Sequence, residues 1–331
     1  MTLPRELAGA VTGIGSLPFT SVAEAVRAVV ERCPEVPFWP QLPRLSAREA
    51  AVGQGLGTLI ELVEPRVEGG YGYRVKPGRI DAVVDALHAS AGELTPENAA
   101  GFFAFEQAAR RGEFARALAV KGQIEGPITL ATYLFHGDRA FVEEPALFAA
   151  VTFHVAQMVR WQIARLRESG RPVLMFLDEP ALCLNALSED RQLRALSALL
   201  DDCRAQGAFA GLHCCAAQPF ARMCAARPDV LSFDAHFGLE EFFAHPGARA
   251  YVEGGGWVAY GLIPNSEPPR APAIFSRWLA AAAMAGEPEM LAQRAMVTAT
   301  CGLGLLEPAA VEQSFEAART VGCLIRQLSG G

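Results

Sequence analysis

Lysine is almost absent from this chain: only Lys76 and Lys121 occur, and the other cations are arginines. No block of positive charge exists, and the formal net charge is -7. Binding to nucleic acid or to a membrane surface is therefore not expected. No apolar run is long enough to span a bilayer. Residues 1–10 carry Arg5 and Glu6 and lack the apolar core of a secretory signal. The eight cysteines are scattered over 331 residues rather than spaced as a disulfide framework. A reducing, cytoplasmic setting is the expectation that follows. The dinucleotide-binding fingerprint also fails, because Gly13 and Gly15 are followed by Pro18 where the third glycine belongs. Internal repeats and low-complexity linkers are lacking too.

What is present is a regular alternation. Short apolar runs that read as strands lie at 10–18, 36–42, 119–127, 173–180, 208–215, 229–234, 256–262 and 295–301. Helical periodicity follows them: from Ser21, whose spacing to Glu24 makes a capping box, at 145–169, at 190–206, after Pro219, at 271–285 and at 308–328. A further helix is expected after Thr95-Pro96, with threonine as cap and proline at the first helical position. Alternating strand and helix predicts a parallel sheet. Eight such units predict a single-domain α/β protein, a (β/α)8 TIM barrel, with an inserted helical and hairpin segment at about 45–115 after the second strand. The hairpin is expected around Gly69-Gly70-Tyr71-Gly72.

In such a barrel the active site gathers at the carboxyl ends of the strands. The residues there are Ser16, Gln41, Glu125, Asp178, Glu179, His213, Cys215, Asp234, Asn265 and Cys301. The stretch Gly211-Leu212-His213-Cys214-Cys215 draws most interest. Alternate side chains of a strand share a face, so His213 and Cys215 project together and Cys214 does not. Imidazole and thiolate are preferred zinc ligands. Cys301, at the end of the last strand, offers a second thiolate. Buried cysteine acting as a small hydrophobe is the plainer alternative for each thiol.

Six motifs then occur in order: Thr12-Gly13-Ile14-Gly15-Ser16-Leu17-Pro18, Glu125-Gly126-Pro127-Ile128-Thr129, Leu177-Asp178-Glu179-Pro180, His213-Cys214-Cys215, Asp229-Val230-Leu231-Ser232-Phe233-Asp234 and Cys301-Gly302-Leu303. Together they resemble the catalytic C-terminal barrel of the cobalamin-independent methionine synthases, in the wider group that includes uroporphyrinogen decarboxylase. The resemblance covers nearly the whole chain. It implies zinc held by His213, Cys215 and Cys301. Asp234 stands where the family has a glutamate ligand and is one methylene shorter; it is either a fourth ligand or a helix cap. The resemblance also implies a homocysteine held by Ile14, Gly15, Ser16 and Asp178. The family's histidine after the seventh strand is replaced here by Gly261-Leu262-Ile263-Pro264-Asn265-Ser266. That departure turns the expected methyl donor from folate to a corrinoid, either methylcobalamin or a corrinoid protein. His236 is a further acid/base candidate, or a loop residue.

The chemistry that suits two thiolates and an imidazole is alkyl transfer to sulfur. A free thiol is largely protonated at neutral pH, with a pKa of about 8.5. Zinc replaces that proton, and two cysteinate ligands leave the bound sulfur electron-rich. The expected enzyme is a zinc-dependent thiol methyltransferase converting homocysteine to methionine. The alternatives are a metal-free decarboxylase of the uroporphyrinogen type, transfer to another thiol such as coenzyme M, and a non-catalytic partner of a corrinoid protein.

Overall fold

The computed structural model describes residues 2–66, 71–184, 189–216, 219–286 and 288–330. Among them run β1 (Val63–Pro65), β2 (Tyr73–Val75), β3 (Val120–Glu125), β4 (Leu134–His136), β5 (Arg139–Ala140), β6 (Val173–Asp178), β7 (Phe209–Cys214), β8 (Val230–Asp234), β9 (Trp257–Ile263) and β10 (Ala295–Ala299). Six of these make one parallel sheet in the order β10-β9-β8-β7-β6-β3. Their residues are buried almost without exception. A parallel strand covered on both faces needs that near-continuous apolar composition.

Two extended segments close the sheet on itself. Val11 bridges to Val297 of β10, and Phe38 bridges to Lys121 of β3. The two segments meet where Ser16 pairs with Gln41. The result is a ring of eight parallel segments with helices outside, the TIM-barrel arrangement expected from the alternation. The first two members are not continuous strands, however. Pro37 and Pro40 supply no N–H to a ladder. Gly13 lies so close to Phe38 that a Cβ there would fall 2.2 Å from the ring. These segments pair only where a donor remains, as when Lys121 N–H reaches the Pro37 carbonyl at 2.8 Å.

The outer helices include Val22–Arg32, Pro145–Arg167, Glu189–Ala205, Ala271–Ala285 and Pro308–Leu328. The Ser21 hydroxyl caps the first, accepting from Glu24 N–H at 3.4 Å. The helix expected from Thr95-Pro96 instead begins later, as Ala100–Arg110. Asn98 draws Thr95 into a turn by accepting its N–H at 2.8 Å. The true first N–H, of Ala100, is met from a distance by buried Glu49 at 2.6 Å. Within the expected insertion, β1 and β2 pair antiparallel, while Gly69 and Gly70 of the turn between them lie outside the described residues. β2 pairs in parallel with β4, and β4 antiparallel with β5, making a second small sheet that links the insertion to the chain after β3.

Inside the ring, Val36, Leu174, Phe176, Val230, Trp257 and Met296 pack as one apolar plug at the amino-terminal end of the strands. That end is sealed by hydrocarbon. Polar side chains collect at the other. Among the described residues no helix is long and apolar enough to cross a membrane.

Candidate functional site

The inward face of β7 can be read from Gly211. A Cβ on it would fall 2.5 Å from the ring of Phe176, a residue of the inner plug. Alternation then turns His213 inward as well. His213 is 2% exposed, and its Nδ1 lies 3.0 Å from the Ser232 hydroxyl on neighbouring β8. Its Nε2 is buried and, the reach of the Cys301 sulfur apart, has no hydrogen-bond partner. Cys214 is buried on the other side, where desolvation pushes its thiol up to about 12.

Cys301 follows β10. Alternation from inward Met296 would turn it outward, but the ladder slips between Thr298 and Ala299 and the chain then turns. The slip re-aims the side chains beyond it. The sulfurs of Cys215 and Cys301 consequently come within reach of each other, which holds Cys301 down and, with burial, drives Cys215 up. The His213 imidazole also favours the Cys301 thiolate. Cys301 is thus the more acidic of the two thiols.

Two carboxyls face each other where β3 and β6 end, since Glu125 pairs in register with Asp178. Both are nearly inaccessible to solvent. Burial raises Asp178 to about 6, although His213 and Lys121 act in the opposite direction. Burial first, then Asp178, Glu179 and Cys301, push Glu125 well above the usual carboxyl range. Asp178 Oδ1 is buried without a partner. An orphaned buried acceptor costs roughly 1–3 kcal/mol unless a ligand meets it. Glu179 points the other way and is structural: it accepts from the N–H of Ile128 and Thr129 at 2.9 and 2.8 Å and from the Thr129 hydroxyl at 2.6 Å. It thereby caps the helix Pro127–Thr132.

The turn at Ile14, Gly15 and Ser16 sits beside this group. Leu303 N–H donates to the Ser16 carbonyl at 2.9 Å, fastening the turn to the loop that carries Cys301. The Ile14 carbonyl accepts from Lys121 Nζ at 2.6 Å. Lys121 lies wholly inside the barrel, where desolvation lowers its ammonium to about 8. It donates also to Gln123 Oε1 at 3.0 Å, and Gln123 in turn donates to the Trp39 carbonyl at 2.9 Å. A buried cation and amide thus hold the turn from below.

Asp234 ends β8 and caps the next helix, accepting from His236 N–H at 2.9 Å and Phe237 N–H at 3.2 Å. His236 packs its ring against Phe237 and stands 3.8 Å from Glu267. Asn265 is half-buried in the loop after β9. As the side chains stand, no three His, Cys, Asp or Glu groups among the described residues are drawn close enough to hold a metal ion. The donor chemistry nevertheless suits zinc: a buried imidazole nitrogen and two sulfurs that influence one another.

Sequence reasoning did not single out Lys121, Ser232 or Tyr133. Tyr133 stacks edge-on with Tyr71 at 5.1 Å and lies within electrostatic reach of Glu125 and Cys215. Lys121 had a signal: a lone cation in a fully buried strand, on the same face as Gln123 and Glu125. Ser232 had one too, two residues before Asp234 on the inward face.

Solved structures share this architecture. A B12-independent methionine synthase from Shewanella sp. W3-18-1, in complex with selenomethionine, matches 97% of this chain and 98% of its own, with a TM-score of 0.58 and 13% identity. A protein from Listeria monocytogenes, described as a candidate vitamin-B12 independent methionine synthase, matches 92% of this chain and 86% of its own, with a TM-score of 0.55 and 12% identity. The chain has the fold of these methionine synthases. No family model and no curated protein sequence matches it.

Proposed function

We propose that this protein is a thiol methyltransferase that uses zinc, with homocysteine as acceptor, methionine as product and a corrinoid as methyl donor. The observation that carries the reading is the approach of Cys215, just after β7, to Cys301, just after β10 three strands away in the barrel sheet, beside the buried Nε2 of His213. Zinc would be held by His213, Cys215 and Cys301, and when bound it would keep the acceptor sulfur as a thiolate at neutral pH. The chain's own groups do the rest. Ser232 fixes the imidazole through Nδ1 and leaves Nε2 as the free donor. A thiol proton on either sulfur would leave on ligation, so metal uptake would release acid.

Asp178 offers its orphaned Oδ1 to the ammonium of the amino acid. Among the described residues, nothing takes up the N–H groups of Ile14, Gly15 and Ser16, which suit its carboxylate. The two anchors flank the sulfur site and hold the acceptor for in-line attack on the methyl group. One S–C bond forms as the donor–methyl bond breaks. Two thiolates at the site favour this over hydrolysis, which wants a more electrophilic metal.

The experiment is metal analysis combined with an assay of methylcobalamin and homocysteine. The wild-type protein is expected to hold one zinc and to form methionine, and Cys301→Ser to lose both. Turnover at the wild-type rate in that variant would end the assignment.

A further inference from the structure

We infer that Glu125 is a specificity-determining residue, forming with Asp178 a two-carboxylate seat that admits only thiols bearing an adjacent ammonium group. This rests on reading the pocket as the acceptor site, and it concerns a residue to which that reading gives no role.

The geometry comes from strand register. Glu125 and Asp178 are paired positions at the ends of adjacent parallel strands, so their side chains leave the sheet on the same face. Glu125 is only 4% exposed. Among the described residues no hydrogen bond reaches its carboxylate. Asp178 Oδ1 is likewise without a donor. Buried carboxylates are normally paired or hydrogen-bonded. Here two stand together with no donor for either. No cation is among the leading influences on Glu125. The nearby ammonium of Lys121 is committed to the Ile14 carbonyl and to Gln123. The helix-capping duty of this corner already belongs to Glu179.

A substrate ammonium supplies what both groups lack. It has three donors and one positive charge, and it relieves the repulsion that disfavours ionising both acids. A thiol without the amine leaves both buried acids without a donor, and a sulfonated thiol sets a further anion beside them. The seat therefore selects amino-acid thiols by rejecting the others, a stronger discrimination than an apolar pocket achieves.

The test separates the seat from the metal. L-Methionine and its desamino analogue 4-(methylthio)butanoate are titrated calorimetrically into full-length wild type, Glu125→Gln and Glu125→Asp, with zinc content measured in parallel. Wild type is expected to prefer methionine at least tenfold, Glu125→Gln to lose most of that preference without changing affinity for the analogue, and Glu125→Asp to recover part of it. A preference untouched in Glu125→Gln overturns the inference. So does an equal loss for both ligands, which would mean general damage to the pocket. If no zinc is bound but the preference depends on Glu125, the seat stands and the zinc reading falls. If zinc is bound and the preference ignores Glu125, the seat falls and the zinc reading stands.

Discussion

The hydroxyl of Ser232 lies 3.0 Å from Nδ1 of His213, across the paired strands β7 and β8. That contact fixes which imidazole nitrogen is left free. Ser232→Ala is expected to weaken zinc binding about 10- to 100-fold, the usual cost of losing a partner behind a metal-bound histidine. Competition with a chromogenic chelator measures it. An unchanged affinity would show that the imidazole is oriented by packing alone.

Asp234 spends one oxygen on two backbone N–H groups. Asparagine caps helices as well as aspartate does, whereas alanine costs about 1 kcal/mol. Asp234→Asn is therefore expected to keep both stability and zinc, and Asp234→Ala to lose stability and keep zinc. Metal content in the asparagine variant decides the matter: a clear deficit there makes the carboxylate a ligand.

Lys121 holds the Ile14 carbonyl from inside the barrel. Lys121→Met is expected to loosen the turn proposed to receive the substrate carboxylate. KM for homocysteine should rise by about tenfold while kcat changes little, since uniform binding is what is lost. A fall in kcat at constant KM would place the lysine in the chemical step instead.

The buried acids give the metal-free protein a pH dependence of definite sign. Burial raises Glu179 to about 7 and Asp178 to about 6, and it raises Glu125 and Glu49 too. A carboxyl whose folded pKa is raised binds its proton more tightly in the native state. Native protein then holds more protons than unfolded chain between the ordinary carboxyl range and about 7. Stability should therefore fall as pH rises through that window. Thermal melts of chelator-treated protein test it, and Glu179→Gln should flatten the slope. A melting temperature that climbs over the same interval would contradict the burial of these groups.

The regular strands of the barrel were legible because burial on both faces forces long apolar runs, as in Val173–Asp178. The cysteine–histidine cluster was legible as residue types at strand ends. The convergence of Cys301 was expected from its place at a strand end and from the resemblance, but the one-residue slip after Thr298 on which it depends is announced by no local pattern. The first two ring members read as ordinary strands, yet Pro37 and Pro40 leave them too few donors to be so. The start of the helix Ala100–Arg110 was hidden for a different reason: its cap, Glu49, lies far away in sequence. The pairing of β4 with β2 is likewise a long-range matter.

The proline-poor side of the cylinder is knitted by full ladders, while the seam between the Val11 and Phe38 segments is tacked at single points. Fewer cross-links mean a lower free energy of local opening. Amide exchange should thus be fastest along this seam within the ring, and the turn meant for the substrate carboxylate sits on it. A ligand gripping that turn would act as a clasp on the barrel's loosest joint, so that catching the substrate and tightening the cylinder become one event.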